Sequence, residues 1–384
     1  MVKKDVLVVG GGVLGSFHAY WALKQGKSVG LLEKDMEPRG STVQNFGQVV
    51  PSGFGSKWQK FGRESLNTYR DIQGCHDIGI QENGSIYLAS NDEEQTLLEE
   101  LHIINQQNEY PSFLWSKSEC LKKYPGLKRD YVKGGLFFPL EISINARQMI
   151  HELRSFLVEK MGLEYYGNTL VQQCEKKNGS IELVDSRGNV YCGDKVVICN
   201  GSDYQNLYPD CFSKSDIEIS QLQMMQTFAQ DPGFEIKGNI LTGWSIRRYE
   251  AFAECPSYAG IVALEDEKSF QAQHGIHILF KQLPSGEVII GDSHHYASID
   301  QCHKLKDRID MDIDNFMLAE ARKIFSLPTF GIKHRWLGKY SQCKTKDVFQ
   351  KTIDDDIHIV TAIGGKGMTA SAGFAKYNMD LILA

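Results

Sequence analysis

The first hydrophobic pattern in the chain consists of two short apolar runs that flank a glycine-rich turn and a helical segment. Residues 6–9 (VLVV) and 29–32 (VGLL) are apolar or small throughout, and the residues between them follow a helical pattern that ends near Gly26. Continuous apolar runs of this length are typical of strands buried on both faces, as in parallel sheets. The pattern therefore predicts a strand, a tight turn, a helix and a second strand parallel to the first.

The turn reads Gly10-Gly11-Gly12-Val13-Leu14-Gly15, and Glu33 follows the second strand. Gly10 permits the tight turn, Gly12 has no Cβ to block a pyrophosphate, and Gly15 lets the helix pack close to the strand. The helix N-terminus offers unpaired N–H groups to phosphates, and the Glu33 carboxylate can accept hydrogen bonds from both ribose hydroxyls. These features favour a dinucleotide site over an ordinary glycine-rich turn, but NAD and FAD share this ADP half, so both stay open.

The rest of the chain alternates helical and strand-like patterns. We predict helices at 58–72, at 92–108 after an Asn91 cap, at 145–161, at 312–325 and from Thr369 onward. We predict strands at 133–139, 163–166, 195–199, 275–281, 287–292 and 356–363. Hairpins are predicted at 77–89, with Asn83-Gly84 at the turn, and around Asn178-Gly179 and Arg187-Gly188-Asn189. A glycine loop, 364–367, precedes the terminal helix.

This order predicts an α/β (α+β) protein in which a Rossmann-like nucleotide-binding domain is interleaved with a substrate domain built on an antiparallel sheet. The nucleotide-binding pieces are residues 1–77, 145–214 and 326–384, and the substrate-binding pieces are 78–144 and 215–325. A simple NAD dehydrogenase usually keeps its nucleotide domain contiguous. Two insertions into the Rossmann-like core therefore favour a different kind of cofactor.

The composition of the chain limits which binding partners and which cellular compartment we expect. The chain has 384 residues and a formal net charge of −6, which argues against nucleic acid, since phosphate binding needs a basic face. The stretch Met1–Gly15 imitates a signal peptide, but its apolar run is short and broken by glycine, so we interpret it as the first strand. No run of about 18 apolar residues predicts a membrane span. Nine cysteines without a CxxC pair suit reduced thiols in a cytoplasm.

Four blocks together resemble flavoproteins of the D-amino-acid oxidase superfamily, in the glycine oxidase and sarcosine oxidase branch. The blocks are the glycine turn with Glu33, residues 39–48 (RGSTVQNFGQ), residues 196–201 (VVICNG) and residues 363–369 (IGGKGMT). The resemblance spans nearly the whole chain and favours FAD over NAD. It implies contacts to FAD from Gly10, Gly12, Val13, Leu14, Gly15, Glu33, Lys34, Ser41, Thr42, Asn45, Gly47, Gln48, Val171, Asn200, Gly201, Gly364, Gly365, Lys366, Gly367, Met368 and Thr369.

Val171 is included because it stands where the family places a backbone contact to adenine. The contacts of the loop at 364–369 also have a physical reason. A reduced flavin carries negative charge on its pyrimidine side, and the N–H groups at the start of the terminal helix, together with Lys366, can stabilise that charge. The alternative for this glycine loop is an ordinary turn.

The chain also departs from the family pattern. Carboxylate-binding members carry an Arg in a W-x-G-x-R-P-like motif, whereas this chain has Trp336-Leu337-Gly338-Lys339-Tyr340-Ser341, with Tyr340 at the Arg position. Sarcosine oxidases bond the flavin through a Cys near this point, and here the nearest thiol, Cys343, is displaced. We therefore expect non-covalently bound FAD and a substrate-binding mode that differs from that of the carboxylate-binding members.

Other candidate substrate-binding residues come from two motifs, which resemble motifs of a subgroup associated with aminophosphonate breakdown. These are Arg247-Arg248-Tyr249 and Gly291-Asp292-Ser293-His294-His295-Tyr296, with an accompanying Leu222-Gln223-Met224 run. Arg and His suit a phosphonate dianion. Neighbours on a strand face opposite sides, so at most one of each pair reaches the substrate, and we prefer Arg248 and His294. The alternative for each pair is a solvated or packed side chain.

His277, on the predicted strand 275–281, is a further candidate for the cavity, with an ordinary core histidine as its alternative. We expect no metal, because no third ligand with suitable spacing accompanies the histidines. The substrate-orienting residues we select are thus Tyr340, His277, Arg248 and His294.

The sequence therefore predicts an FAD-dependent enzyme that oxidises the C–N bond of a small amine to an imine, which water then hydrolyses. The amine is an amino acid or an aminophosphonate, and the substrate class includes the N-methylated forms. The reduced flavin is reoxidised by O2. One alternative is a dehydrogenase that passes electrons to a quinone or a protein. An alternative of another class is a non-catalytic or tRNA-modifying flavin-binding protein, which would call for a basic face that the net charge disfavours.

Overall fold

The computed structural model describes residues 3–177 and 179–384. Its strands are β1 Lys4–Val9, β2 Val29–Leu32, β3 Gln48–Val49, β4 Ile80–Gln81, β5 Ser85–Ala89, β6 Phe113–Ser116, β7 Gly134–Phe138, β8 Ile142–Ile144, β9 Glu164–Tyr166, β10 Val171–Lys177, β11 Ser180–Asp185, β12 Val190–Ile198, β13 Ile217–Ala229, β14 Asn239–Thr242, β15 Leu279–Gln282, β16 Glu287–Gly291, β17 His295–Ser298, β18 Ile332–Cys343, β19 Phe349–Ile353 and β20 Ile357–Thr361.

The helices alternate with these strands along the chain. They are α1 Val13–Lys24, α2 Ser41–Gln44, α3 Ser56–Gln73, α4 Asp92–Gln107, α5 Lys117–Lys123, α6 Ala146–Met161, α7 Pro209–Ser213, α8 Gly243–Ile246, α9 Tyr258–Val262, α10 Phe270–Gln273, α11 Met311–Ile324 and α12 Gly367–Leu383. Short 3₁₀ turns cover Pro51–Gly53, Glu250–Glu254, Ile299–Lys304 and Gly364–Lys366.

The first large sheet has a parallel centre. Its order is β10-β11-β12-β1-β2-β9, and β20 pairs with β12 and with β19. Strands β12, β1, β2 and β9 are parallel, and so are β12 and β20. The last four residues of β1 are buried, as expected of a strand covered on both faces. The predicted strand–helix–strand unit is confirmed, with β1, α1 and β2 as its parts.

Helices cover one face of this sheet. Helices α1, α3, α6 and α12 contribute to one hydrophobic cluster, which includes Phe17, Tyr69, Leu153 and Phe374. Phe17 meets Tyr69 edge to face, with ring centroids 5.4 Å apart. The C-terminal helix thus packs against the helix of the first βαβ unit, although most of the chain separates them. This packing brings the glycine loop at 364–367 beside the glycine turn at 10–15.

The second large sheet has the order β17-β13-β16-β15-β14-β5-β7-β6, and β18 pairs with β13. Its pairs are antiparallel except β14 with β5, which is parallel. A third, small sheet has the order β3-β8-β4. Helix α11 packs on the second sheet through a cluster that includes Met317, Phe325 and Phe280. The predicted α/β class with a Rossmann-like part and a mostly antiparallel part is confirmed.

The domain division stays a prediction, but β18 bears on one boundary. This strand lies within 326–384, the third predicted nucleotide-binding piece, yet it pairs with β13 from Ile217↔Cys343 to Thr227↔Ile332. That piece therefore includes a strand of the second sheet. Because of this strand, the C-terminal segment has residues in both large sheets.

Several local predictions are confirmed. Asn91 caps α4, because its side-chain oxygen accepts the Glu94 N–H at 2.9 Å. Strands β10 and β11 form the predicted hairpin, with Lys177 opposite Ser180. Asn178, which the sequence places at that turn, lies outside the described residues, as do Met1 and Val2.

The predicted hairpin at 77–89 is wrong. Strand β4 pairs with β8, whereas β5 pairs with β7 and β14. Gly84 adopts the expected left-handed conformation, with φ of +75°, but its N–H donates to the Glu141 carbonyl and its own carbonyl accepts from Asn239. The predicted turn residue is right, but the strands before and after it pair with distant strands instead of with each other.

Two further expectations about strands are corrected because they concern the site. Strand β15 begins only at Leu279, so His277 lies in the segment that leads into it. Arg247 and Arg248 follow the short helix α8 rather than lying on a strand. Alternation along a strand therefore does not separate the two arginines, and their tertiary contacts decide which of them reaches the cavity.

Candidate functional site

A cavity of about 1080 Å³ extends from the carboxyl ends of β1 and β2 to the face of the second sheet. It is larger than the roughly 300–1,000 Å³ typical of pockets for a drug-sized ligand. Each residue selected from the sequence for the cofactor lines this cavity, as do Tyr340, His277, Arg248 and His294. The fold thus brings together residues from several separate parts of the chain.

The glycine turn at one end of the cavity leaves little freedom for side chains at two of its positions. Gly10 has φ of +102°, and a Cβ there would lie 2.2 Å from the Cys199 carbonyl oxygen. A Cβ on Gly15 would lie 2.0 Å from the Gly10 carbonyl oxygen. A Cβ on Gly12 would meet only Thr42 Oγ1 among the described residues, at 3.1 Å. Gly12 therefore keeps the cavity wall open rather than serving the packing of the protein.

Helix α1 starts directly after this opening. Gly12 precedes it in an extended conformation, and its first turn, Val13 to Ser16, carries no acidic side chain. The Val13 N–H donates to Thr42 Oγ1 at 2.9 Å, which ties the segment around α2 to the helix start. An N-terminus of this composition suits a phosphate.

Glu33 is held rigidly at the end of β2. Its side chain is buried, with Oε2 accepting the Gly11 N–H at 2.7 Å and Oε1 accepting the Asp35 N–H at 3.1 Å. Lys34 is exposed and pairs with Asp35 at 3.0 Å. The carboxylate lies where a ribose attached to the phosphates would reach it.

The segment after α2 forms the middle of the cavity. Asn45 holds the chain in place, because its side-chain oxygen accepts the Gly47 N–H at 2.6 Å and its amide donates to the Thr42 carbonyl at 2.5 Å. Gly47 has φ of +76°, and a Cβ there would lie 2.2 Å from the Ile144 carbonyl oxygen. Ser41 donates to the Lys339 carbonyl at 2.7 Å, so this segment also contacts β18.

The C-terminal glycine loop borders the same middle part. Gly364, with φ of +67°, opens a 3₁₀ turn that runs straight into α12. Thr369 in the first turn of α12 accepts the Val50 N–H at 3.1 Å. Lys366 pairs with Glu250 at 2.5 Å and lies 3.9 Å from Asp347. Its charge is thus shared with two carboxylates, and the backbone N–H groups of the loop are the freer source of positive potential.

The third block lies at the adenosine end. The Val171 carbonyl accepts a hydrogen bond from the Asn206 side chain, and the Gly201 carbonyl accepts from the hydroxyls of Ser341 and Thr361 at 3.0 and 2.8 Å. Asn200 donates through its amide to the Asp203 carbonyl. These contacts fix the loop after β12 against the C-terminal strands.

Two buried polar atoms in the cavity wall indicate whether a dinucleotide fits the cavity. Gln48 Nε2 and Asn200 Oδ1 are buried and lack a hydrogen-bond partner among the described residues. Both residues line the cavity, one in its middle and one at its adenosine end. Buried polar atoms normally have partners, so the two positions call for a ligand that extends through the cavity. A dinucleotide with a ring system at the inner end fits this requirement.

The two adjacent arginines have different surroundings. Arg247 makes ion pairs with Glu93 at 2.8 Å, Glu94 at 3.1 Å and Glu265 at 3.5 Å. Arg248 lines the cavity and donates to the Tyr296 hydroxyl. Arg248 has no such carboxylate clamp among the described residues, so its guanidinium can bind an anion.

A buried carboxylate accompanies the histidines. Asp292 Oδ1 lies 2.7 Å from His277 Nε2 and 3.8 Å from His294 Nδ1. Burial opposes ionisation of Asp292, but the two histidines and Arg248 outweigh it and hold the pKa of this carboxyl below its ordinary value. Burial also lowers the pKa of His294 to about 3, although the Asp292 charge acts in the opposite direction. The pair at neutral pH is therefore an ionised Asp292 beside a neutral His294.

This cluster changes one expectation about metals. The spacing in the sequence shows no third ligand, but the fold places a ligand atom of His277, Asp292 and His294 within 4.8 Å of one another. Asp292 is a site residue that sequence reasoning missed. A signal was present in the motif 291–296, because an acid between a buried strand and two histidines is unusual. His295 instead contacts His274, with their ring nitrogens 2.9 Å apart.

Tyr340 closes the cavity from β18. Burial raises the pKa of its phenol well above the ordinary value, so the hydroxyl stays protonated and can donate. A Cβ on Gly365 would lie 3.7 Å from this hydroxyl, which places Tyr340 beside the C-terminal glycine loop. Tyr249, which was not among the predicted site residues, also lines the cavity, and its ring meets that of His277 edge to face at 5.7 Å.

Fold and site together fit a protein that binds a dinucleotide cofactor in a cavity with a polar inner end. The family model described as FAD dependent oxidoreductase matches residues 5–381. The chain therefore belongs to the FAD-dependent oxidoreductase family, and FAD is its cofactor. The predicted superfamily is confirmed.

Individual relatives are distant. An opine oxidase subunit from Rhizobium meliloti is 24% identical over 241 residues, which cover 59% of this chain and 64% of that protein. Curated relatives are matched over 45% to 64% of their own length. The structure of glycine oxidase from Geobacillus kaustophilus is similar with a TM-score of 0.77 at 15% identity, covering 100% of this chain and 95% of that one. The structure of L-proline dehydrogenase from P. horikoshii has a TM-score of 0.79 at 18% identity, covering 99% and 93%.

The helices also bear on membrane insertion. Over residues 3–177 and 179–384, no helix combines the length and the apolar character needed to cross a bilayer.

Proposed function

We propose that the protein oxidises the C–N bond of a small amine that carries an anionic group, either an amino acid or an aminophosphonate, including N-methylated forms. The observation that carries the proposal is geometric: Arg248, which forms no ion pair with a carboxylate among the described residues, lines the same cavity as Asp292 and His294. Bound FAD supplies the acceptor for two electrons and the α-hydrogen, which leaves an imine that water hydrolyses.

The residues of the chain bind and orient the amine in this proposal. Arg248 binds the anionic group, because a guanidinium forms charge-assisted and bidentate hydrogen bonds to carboxylates and phosphonates. Tyr340 donates from beside Gly365, so it holds the substrate close to the cofactor ring. Alignment of the reacting C–H bond accounts for a large share of catalysis in such a site.

Several features of the chain support an aminophosphonate as the substrate. Tyr340 stands where carboxylate-binding family members carry an Arg, so the carboxylate grip of those members is absent at that position of the sequence. Arg248 and the neutral His294 offer several donors and acceptors, which suits an anion with three oxygens. The resemblance of residues 247–249 and 291–296 to the aminophosphonate-associated subgroup points to the same class.

Oxygen is the proposed electron acceptor, and the enzyme is thus proposed as an oxidase in the cytoplasm. Among similar proteins, one is named as part of an opine oxidase and another as a glycerol 3-phosphate dehydrogenase, so a dehydrogenase is the second candidate. All nine cysteines are unpaired, which supports a reducing compartment.

An anaerobic screen tests the proposal. The holoenzyme is mixed without oxygen with glycine, sarcosine, L-proline, 2-aminoethylphosphonate and its N-methyl derivative, and bleaching of the oxidised flavin is followed, with free FAD as the control. We expect bleaching with at least one of these anionic amines and none with ethylamine or propylamine, which lack the anionic group and are tested in the same way. Admission of O2 then separates the two candidates, because an oxidase yields hydrogen peroxide on every turnover. Failure of every amine to bleach the flavin would contradict the proposal.

A further inference from the structure

The carboxylate of Asp292 has a buried oxygen that the protein itself does not satisfy. Asp292 is 5% exposed. Oδ1 lies 2.7 Å from His277 Nε2, but it receives no directed hydrogen bond from the described residues. An ionised oxygen without a donor in a buried site is costly. The position therefore calls for a donor from the cavity, which Asp292 lines.

The two histidines are held by groups behind them. His277 Nδ1 lies 2.9 Å from Ser245 Oγ, and His294 Nδ1 lies 3.2 Å from the Gly275 carbonyl oxygen. A carbonyl only accepts, so Nδ1 of His294 carries the hydrogen. The rings are thus kept in place beside Asp292, and neither histidine supplies the missing donor in a good direction.

Charged and titratable groups face Asp292 from several elements. His277 comes from the segment before β15, His294 from the segment after β16, Arg248 and Tyr249 from the end of α8, and Tyr340 from β18. Arg248 is the cation among them, and it is free to pair with an anion in the cavity. The cavity thus presents one positive and one negative recognition group to the same ligand.

We infer that Asp292 binds the ammonium group of the substrate, so that the site selects zwitterions whose anionic end lies on Arg248. This inference rests on the proposed function and deepens it, since it names the cationic half of the substrate. Asp292 is then a specificity-determining residue, and His277 is a positioning residue that acts through it. The substrate nitrogen donates to Asp292 Oδ1 and supplies the missing partner.

A divalent metal is the competing occupant of the cluster. Two histidines and one carboxylate are a known ligand set, and their ligand atoms are close enough here. One observation counts against it. The 2.7 Å separation of His277 Nε2 and Asp292 Oδ1 is shorter than the roughly 3.3 Å between two ligand atoms that each lie about 2 Å from a tetrahedral zinc ion.

The first test compares matched ligands that differ only in the amine. Binding is measured anaerobically by stopped flow, as the perturbation of the oxidised flavin spectrum that precedes reduction, with 2-aminoethylphosphonate against propylphosphonate and sarcosine against butyrate. The two pairs distinguish a phosphonate from a carboxylate as the anionic group. For Asp292→Asn we expect the zwitterion of the better-bound pair to lose affinity by roughly 10- to 100-fold, whereas its amine-free partner binds as before.

The control is Asp310→Asn, which makes the same substitution at a carboxylate of the second sheet's helix α11. Asp310 is the N-cap of that helix and does not line the cavity, and Asn is an equally good cap. We expect this variant to bind both members of each pair like the wild type. Equal weakening of zwitterion and amine-free ligand in Asp292→Asn would overturn the inference and leave the proposed function in place.

The second test uses pH, and its wild-type measurement does not depend on a variant that folds. A nearby carboxylate stabilises the ammonium form and raises the pKa of the bound amine, by about one unit or more. The reduction rate at saturating substrate in the wild type should therefore still rise as pH passes the pKa of the free amine. In Asp292→Asn the rise should shift to lower pH. A wild-type rate that levels off well below the free amine's pKa would overturn the inference.

Metal analysis of the holoenzyme completes the experiment. We expect less than stoichiometric metal and unchanged flavin reduction after dialysis against EDTA. One divalent ion per chain that is lost in Asp292→Asn would overturn the inference in favour of a metal site. If no ligand perturbs the spectrum and no amine reduces the flavin, the proposed function fails, and the inference fails with it.

Discussion

The two ends of the cavity are built in different ways. At the cofactor end, glycine backbone and short polar side chains come from three compact segments, residues 10–15, 41–48 and 364–369. At the substrate end, single side chains on Arg248, His277, Asp292 and Tyr340 come from separate elements. In the proposed arrangement, the large cofactor is bound mainly through backbone geometry, whereas the small substrate is recognised by individually placed charges.

The largest expected effect is at the cofactor end. We expect Gly12→Val to abolish FAD retention, because the branched side chain would fill the opening that Gly12 leaves for the pyrophosphate. The measurement is the ratio of flavin to protein absorbance after purification, with folding checked by circular dichroism. Gly260→Val on α9 is the matched control, since a Cβ there meets nothing within 4 Å. A yellow, fully occupied Gly12→Val protein would show that the turn does not bind the cofactor.

The second-largest effect is expected at the substrate end, from substitution of one of the two adjacent arginines. We expect Arg248→Gln to lower the second-order rate constant of flavin reduction by the best amine on the order of 100-fold, because a charge-assisted contact to the anion is lost. Arg247→Gln should instead lower the melting temperature, since Glu94 is buried and would lose its ion pair, with the rate constant unchanged. Stopped-flow kinetics and thermal melts on both variants check this. Equal kinetic losses in the two variants would erase the distinction between the arginines.

Lys281 on β15 contacts the segment around Gly47, and the effect of replacing it should depend on pH. It is buried, and Nζ donates to the Ile144 carbonyl at 2.6 Å beside Gly47. Burial lowers its pKa from 10.5 to about 7. Between these values the unfolded state binds more protons, so the stability contributed by this group rises with pH and is constant below about 7. Thermal melts from pH 7 to 10 should show the wild type gaining stability relative to Lys281→Met, and parallel curves for the two proteins would contradict it.

The smallest effect is expected from Cys343. Burial raises the pKa of this thiol to about 11, so thiolate is scarce at neutral pH and covalent attachment to the flavin is disfavoured. Acid precipitation should release FAD into the supernatant equally from the wild type and from Cys343→Ser. Flavin that stays with the wild-type pellet and not with the variant would show a covalent bond.

The residues that the sequence predicts for the cofactor all line one cavity, and they could be selected because their signals are local. The glycine turn, Glu33 and the Gly364 loop each follow from a few neighbouring residues, so spacing alone identifies them. The hairpin at 77–89 was predicted by the same kind of reasoning and is wrong, because Gly84 turns correctly while β4 and β5 join different sheets. Local patterns identify turns more reliably than strand partners, which are chosen by distant segments.

The surroundings of Asp292 could not be predicted from the residues next to it in the sequence. Nothing in residues 291–296 shows that His277 lies 2.7 Å away or that Arg248 shares the same cavity. Arg247 and Arg248 likewise look equivalent in sequence, and only their tertiary contacts assign one to three glutamates and the other to the cavity. The roles of these residues depend on which charges the fold places beside them.

The sequence by itself determined the dinucleotide turn, the alternation of helices and strands and the resemblance that favours FAD, because each depends on backbone conformation or on residues close in the chain. Tertiary structure decided the pairing of β18 with β13, the convergence of Arg248, His277, Asp292, His294 and Tyr340, and the protonation of that cluster. Those features depend on burial and on Coulomb interactions between residues far apart in sequence, and both arise only once the chain has folded.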